Sequence, residues 1–86
     1  MIGSPSEEAL RQALIDAGSA HHDYESNFLG GTRDEQWAGW YAAYVLGRLG
    51  DFTSPTSLAK WLEAAPYEGA WAPAAAAYVL EQLATG

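Results

Sequence analysis

The chain contains no cysteine. This absence excludes disulfide bridges, thiolate metal sites and a cysteine nucleophile. No apolar run approaches the roughly 20 residues that a membrane-spanning helix needs. No charged segment followed by an apolar one indicates a signal peptide. From these absences we expect a cytoplasmic protein.

Positive charge is also scarce. Four Lys and Arg residues stand against eleven Asp and Glu, which gives a net charge of −7 over 86 residues. The basic residues are scattered along the chain, and the acidic excess would repel phosphate groups. The composition therefore argues against nucleic acid and against anionic membranes as partners. The length predicts a single domain, residues 1–86.

Motifs for catalysis and for cofactors are missing too. The segment "LGGT" lacks the preceding strand and the lysine of a phosphate-binding loop, so we interpret it as a connection between helices. His21 and Glu25, at i and i+4, share a helix face, but a zinc site needs three or four protein ligands and no third is evident. We therefore predict no metal, no cofactor and no catalytic residue. General acid–base chemistry by a buried His21–Glu25 pair is the alternative.

Apolar and aromatic side chains, in contrast, are abundant. They include four Trp, five Tyr and two Phe, and apolar residues make up 49% of the chain. Each large aromatic side chain can bury about 150–250 Å². We therefore expect a folded core in spite of the net charge.

Local signals predict a long first helix. Ser4 and Glu7 form a capping box at its start, and we expect the helix over residues 5–28. Its apolar positions recur at spacings of three and four and share one face. The pair Gly30 and Gly31 ends it.

Three shorter helices follow. Thr32 and Glu35 form a second capping box, and the helix that begins there is expected to end at Gly50. Ser54 caps a third helix, which Pro66 ends. The fourth helix covers "AWAPAAAAYVLEQLA", whose single proline fits only within the first turn.

The segment "AAYVL" occurs twice, at 42–46 and 76–80, an offset of 34 residues. The same offset aligns Trp37 with Trp71. Tetratricopeptide arrays share this period, but their glycine and aromatic spacing is absent here. We predict an all-α fold, a compact four-helix arrangement of two pseudo-repeated helical hairpins. Independent convergence of two alanine-rich buried helices is the alternative.

Three helices each place one polar side chain on an otherwise apolar face: His21, Arg48 and Gln82. Because buried polar groups need partners, we expect Arg48 to pair with Glu25, with His21 and a tyrosine hydroxyl completing the network. Alternatively, Arg48 and Gln82 lie near helix ends and extend to water. The candidate ligand-binding residues are His21, Tyr24, Glu25, Trp37, Trp40, Tyr41, Tyr44 and Arg48.

The second and fourth helices are apolar around most of their circumference. Two other helices of this length are not expected to cover both of them, and large exposed apolar patches are uncommon on monomers. We therefore predict self-association, most simply a homodimer. The candidate interface residues are Leu46, Leu49, Leu80 and Leu83.

The run "HHDYESNFLGG…DEQWAGWYAAYVL", residues 21–46, resembles small uncharacterised bacterial all-helical proteins. The shared pattern is a histidine-rich helix, a glycine turn and then Asp-x-x-Trp-x-x-Trp-Tyr-Ala-x-Tyr. The excess of alanine and glycine is similar to that of proteins from GC-rich bacterial genomes. The resemblance implies that the pattern of the aromatic helix is more than chance, and it carries no activity with it.

Two functions are consistent with these patterns. The first is a non-enzymatic binding or interaction module that self-associates through the second and fourth helices. The second is a protein with a small-ligand pocket lined by aromatic side chains, in which His21, Glu25 and Arg48 orient a polar ligand. The burial of the aromatic side chains and of the interface leucines distinguishes the two.

Overall fold

The computed structural model describes residues 4–31, 34–65 and 70–85. Within these stretches the chain forms four α-helices and no strand, which confirms the all-α prediction. The helices are α1 (Glu7–Phe28), α2 (Trp37–Leu49), α3 (Pro55–Ala64) and α4 (Trp71–Thr85). None of them is both long enough and apolar enough to span a bilayer.

Short side chains cap two of the helices. Ser6, two residues later than predicted, accepts the N–H of Ala9 at 3.0 Å and starts α1. The acidic residues of the first turn, Glu7 and Glu8, complement the positive end of the helix dipole. Ser54 starts α3 as predicted, with its hydroxyl 3.1 Å from the backbone nitrogen of Ser57.

Helix α2 begins later than its sequence signals indicated. Its N-cap is Gln36, whose side chain makes no capping hydrogen bond. Instead the carboxylate of Asp34 accepts the N–H of Gln36 at 2.9 Å and shapes the entry to the helix. The predicted cap at Thr32 and the predicted stop at Pro66 lie outside the described residues.

The helices pack in a ring. Helix α1 packs against α2 and α4, α2 also packs against α3, and α3 packs against α4. All four contribute to one hydrophobic cluster, which consists of Leu10, Ala13, Leu14, Ala42, Val45, Leu46, Leu58, Leu62, Ala75, Ala76 and Val79. A compact four-helix arrangement around a single core is therefore present.

Helices α1 and α2 run in opposite directions. Arg48, near the end of α2, bonds to Asp16 in the middle of α1, whereas Trp40, near the start of α2, lies beside His21 further along α1. A glycine pair with positive φ makes the connection possible, and the N–H of Gly31 donates to the carbonyl of residue 25 at 2.9 Å. The 34-residue duplication of this hairpin stays a prediction.

The packing of the four helices in a ring covers apolar side chains that were expected to be exposed. Leu46 is only 5% exposed and belongs to the core, so the prediction that it needs a second chain for cover is wrong. The reason is that α1 and α3 cover two different sides of α2. Leu49, Leu80 and Leu83 are partly buried and pack against the same core. The large apolar side chains that the described stretches expose are Ile15 and Phe28.

Candidate functional site

One group of aromatic side chains is part of the core. Trp37, Tyr41 and Trp71 form three edge-to-face contacts, with ring centroids 5.5, 5.8 and 5.7 Å apart. All three pack against the hydrophobic cluster. Two of the predicted ligand-binding residues, Trp37 and Tyr41, therefore have a structural role in this arrangement.

A second group of four rings lies along the boundary between α1 and α2, and we call it the aromatic seam. Its ring centroids follow one another at 5.6 Å from Phe28 to Tyr24, 5.7 Å from Tyr24 to Trp40 and 5.8 Å from Trp40 to Tyr44. None of the four belongs to the core cluster. Tyr24, Trp40 and Tyr44 are partly buried, and Phe28 is 76% exposed.

The seam follows from helix geometry. Tyr24 and Phe28 are four residues apart on α1, and Trp40 and Tyr44 are four residues apart on α2, so each pair shares one face of its helix. The opposite directions of the two helices place the pairs side by side. The last two rings are nearly parallel, with an angle of 14° between their planes. The result is a continuous aromatic surface whose rings contact one another.

His21 lies beneath the seam and is the only buried polar side chain among the described residues. Its Nε2 is 2.9 Å from Asp34 Oδ2, and its Nδ1 is 3.8 Å from Glu25 Oε1. The rings of Trp40 and Tyr41 lie 5.0 and 5.2 Å from the imidazole. A buried polar group needs such partners, and here two carboxylates of the same chain provide them.

Asp34 completes what we call the His21 clamp, formed by His21, Glu25 and Asp34. The backbone N–H of Asp34 donates to Glu25 Oε2 at 2.8 Å, while its carboxylate accepts from His21 and from Gln36. The hydrogen bond from His21, followed by that from the Gln36 N–H, lowers the pKa of Asp34. The clamp joins the start of α2 to the last turns of α1. These contacts support the connection between the two helices.

Tyr41 packs closely against α1. Burial, and to a lesser extent the charge of Glu25, raises the pKa of its hydroxyl. The hydroxyl oxygen would lie 3.3 Å from a Cβ atom placed on Gly18. The glycine therefore gives the tyrosine hydroxyl room beside the helix.

Arg48 does not join Glu25, and the predicted pair is corrected. Its guanidinium donates to the carboxylate of Asp16. The antiparallel arrangement explains the difference, because the last turn of α2 lies beside the middle of α1 and far from its end. Asp16 also accepts from Gln12 at 3.0 Å, and the pKa of Asp16 is lowered chiefly by Arg48.

An open depression of about 420 Å³ lies beyond Arg48 on the same α1–α2 boundary. Its lining consists of Ser6, Glu8, Ala9, Gln12, Arg48 and Leu49. Of the predicted ligand-binding residues, Arg48 alone contributes to this lining. The aromatic residues that were expected to line a pocket lie elsewhere, in the core or in the seam.

Three residues of this region escaped the sequence analysis. Phe28 is the last residue of α1 and lies at the edge of the packed region. Asp34 was not singled out, although an aspartate just before a helix is a typical capping residue. Asp16 carried no signal of its own, since its partner is 32 residues away.

No family model, curated protein or solved structure matches the chain. The resemblance to small bacterial helical proteins therefore stays a prediction. In residues 4–31, 34–65 and 70–85, no group of three or more histidine and acidic side chains is arranged to hold a metal ion.

Proposed function

We propose that this protein is a non-enzymatic interaction module that binds a partner through the aromatic seam. The observation that carries the proposal is the position of four successive rings outside the core, ending in Phe28 with 76% of its surface exposed. Removal of apolar surface from water contributes about 25 cal/mol per Å². Aromatic side chains are also enriched in protein interfaces, so a partner that covers the seam gains free energy from it.

The shape of the surrounding surface favours an elongated partner segment. The seam occupies one half of the α1–α2 boundary, and the Arg48–Asp16 pair and the open depression continue it. A segment that extends along this boundary meets aromatic rings, an ion pair and a concave region in succession. Such a sequence of contacts suits a polypeptide better than a compact small molecule.

Self-association through the leucines of α2 and α4 has less support than the seam. Leu46 is in the core, and Leu49, Leu80 and Leu83 pack against it. A second copy would also bring a second net charge of −7 to the contact. The small-ligand alternative has less support, because the open depression that the described residues form contains only Arg48 of the predicted ligand-binding set.

Selection from a library of short random peptides tests the proposal. We expect wild-type protein to enrich a defined class of peptides and the Phe28→Ser variant to lose them. Ile15→Ser is the matched control, because Ile15 is also an exposed large apolar side chain, at 47% exposure. Both variants should keep the circular dichroism spectrum of the wild type. The proposal fails if no peptide class is enriched or if Phe28→Ser retains the binding.

A further inference from the structure

We infer that the partner segment is basic and places an arginine side chain on the aromatic seam. This inference rests on the proposed function and adds the chemistry of the partner to it. The first argument is charge complementarity, since eleven acidic residues against four basic ones give the protein a net charge of −7. A cationic segment is attracted at long range, whereas an acidic one is repelled.

Carboxylates near the seam add local negative charge to the negative net charge of the chain. Asp23, which directly precedes Tyr24, is exposed, and Glu8 lines the depression at the other end of the boundary. Arg48 also lies on this boundary, and Asp16 neutralises its charge. A basic segment that extends from the seam to the depression therefore passes Asp23 near one end and Glu8 at the other, with the paired Arg48 between them.

The geometry of the rings selects arginine in particular. Ring faces of Trp and Tyr attract cations that lie within about 6 Å of the centroid. Trp40 and Tyr44 stack on each other, with 14° between their planes, so a planar group can extend the stack on its outer face. A guanidinium is planar and weakly hydrated, whereas an ammonium is compact and strongly hydrated. An arginine should therefore bind better here than a lysine.

Matched peptides test the inference. The probes are fluorescein-labelled peptides of about 12 residues that carry arginine, lysine or glutamate at the same positions, separated by glycine and serine so that they stay flexible. Fluorescence anisotropy measures their binding at about 20 mM and about 300 mM NaCl, a range over which the screening of exposed charges changes strongly. We expect the arginine peptide to bind tightest, the glutamate peptide not to bind, and the arginine affinity to fall with salt.

Variants locate the binding site. Phe28→Ser and Tyr44→Ser should each weaken the arginine peptide about two- to fivefold, the effect of an exposed cation–π contact. Ile15→Ser should leave its affinity unchanged. Equal affinity for the arginine and lysine peptides, or the same affinity in all variants, overturns the inference because either result indicates unspecific attraction. A wild-type dimer that Phe28→Ser dissociates in sedimentation also overturns it, since the seam would then bind a second copy.

The outcomes separate this inference from the proposed function. If the random library enriches neutral peptides that require Phe28, the interaction module stands and the basic partner is wrong. If neither the library nor the arginine peptide shows binding that depends on the seam, the proposed function fails with it.

Discussion

Asp34 uses its backbone and its carboxylate together to shape the connection between α1 and α2. Its N–H donates to Glu25, and its two carboxylate oxygens accept from the ring of His21 and from the backbone of Gln36. Two of these bonds, those with His21 and Glu25, are part-buried, where a polar group needs a partner within the protein. The single side chain therefore fixes where α2 starts and where His21 points.

The first prediction concerns this carboxylate. Because the folded-state pKa of Asp34 lies below the ordinary value of 3.8, its stabilisation is present above that pH and is lost as the pH falls through the lowered folded-state pKa. Asp34→Asn should lower the free energy of unfolding at neutral pH and reduce its dependence on pH in the acid range. Urea denaturation of both proteins, at pH 7 and at several acid pH values, measures this. Equal stability at neutral pH would show that the clamp contributes nothing.

The second prediction concerns the contact between Gly18 and Tyr41. Alanine at a helical position is favoured over glycine by about 1 kcal/mol, but a Cβ at Gly18 would lie only 3.3 Å from the tyrosine hydroxyl. Gly18→Ala should therefore stabilise a Tyr41→Phe protein more than it stabilises the wild type. The four free energies of unfolding form a double-mutant cycle. A coupling energy of zero would contradict the close contact.

At the scale of helices, the glycines within α2 and the glycines that follow α1 differ in backbone conformation. Gly39 and Gly47 lie on the exposed side of α2, and a Cβ atom added at either position would meet no atom within 4 Å. Gly30 and Gly31, in contrast, have φ values of 61° and 82°. The first pair lowers the stability of the helix without a structural benefit. The second pair adopts a conformation that side-chain-bearing residues rarely take.

The third prediction follows from this contrast. Gly39→Ala and Gly47→Ala should each raise the free energy of unfolding by about 0.5–1 kcal/mol, because alanine loses less conformational freedom in a helix. Gly30→Ala should lower it, because its φ is positive. Thermal denaturation of the three variants and of the wild type measures these changes in stability. A destabilising Gly39→Ala would indicate that the exposed side of α2 needs its glycine.

The helices themselves were largely predictable because their signals are local. The cap at Ser54 lies three residues from the N–H that it accepts, so the sequence contains both partners of the bond. The start of α2 was not predictable in the same way. Asp34 is held by His21, 13 residues earlier, and no local pattern reveals that pairing. The candidate site also combines predictable and unpredictable parts. Helix faces in the sequence were enough to select Tyr24, Trp40 and Tyr44. The Arg48–Asp16 pair depends on how the helices pack.

At the scale of the whole molecule, the ring of helices decides which apolar faces are covered. A helix that is apolar all round needs cover on more than one side. Helix α2 has it from α1 and α3 within one chain, which the pattern on α2 alone does not reveal. Among the described residues, the large apolar side chain that stays most exposed is Phe28, at the end of the aromatic seam. For this reason the candidate interface moves from the leucines to the seam.

The fourth prediction tests that conclusion. Leu46 is buried among residues of its own chain, so Leu46→Ala should lower the free energy of unfolding by about 2–5 kcal/mol, the usual cost of a cavity in a packed core. A domain of this size has only about 5–15 kcal/mol of stability, so the midpoint of urea denaturation should fall markedly. The loss should be the same at every protein concentration, because no second chain takes part in covering this residue. Phe28→Ala is the matched control and should leave the midpoint nearly unchanged, since the ring is 76% exposed. A loss that grows as the protein is diluted would instead place Leu46 in an interface between chains and would restore the dimer that its sequence position suggested.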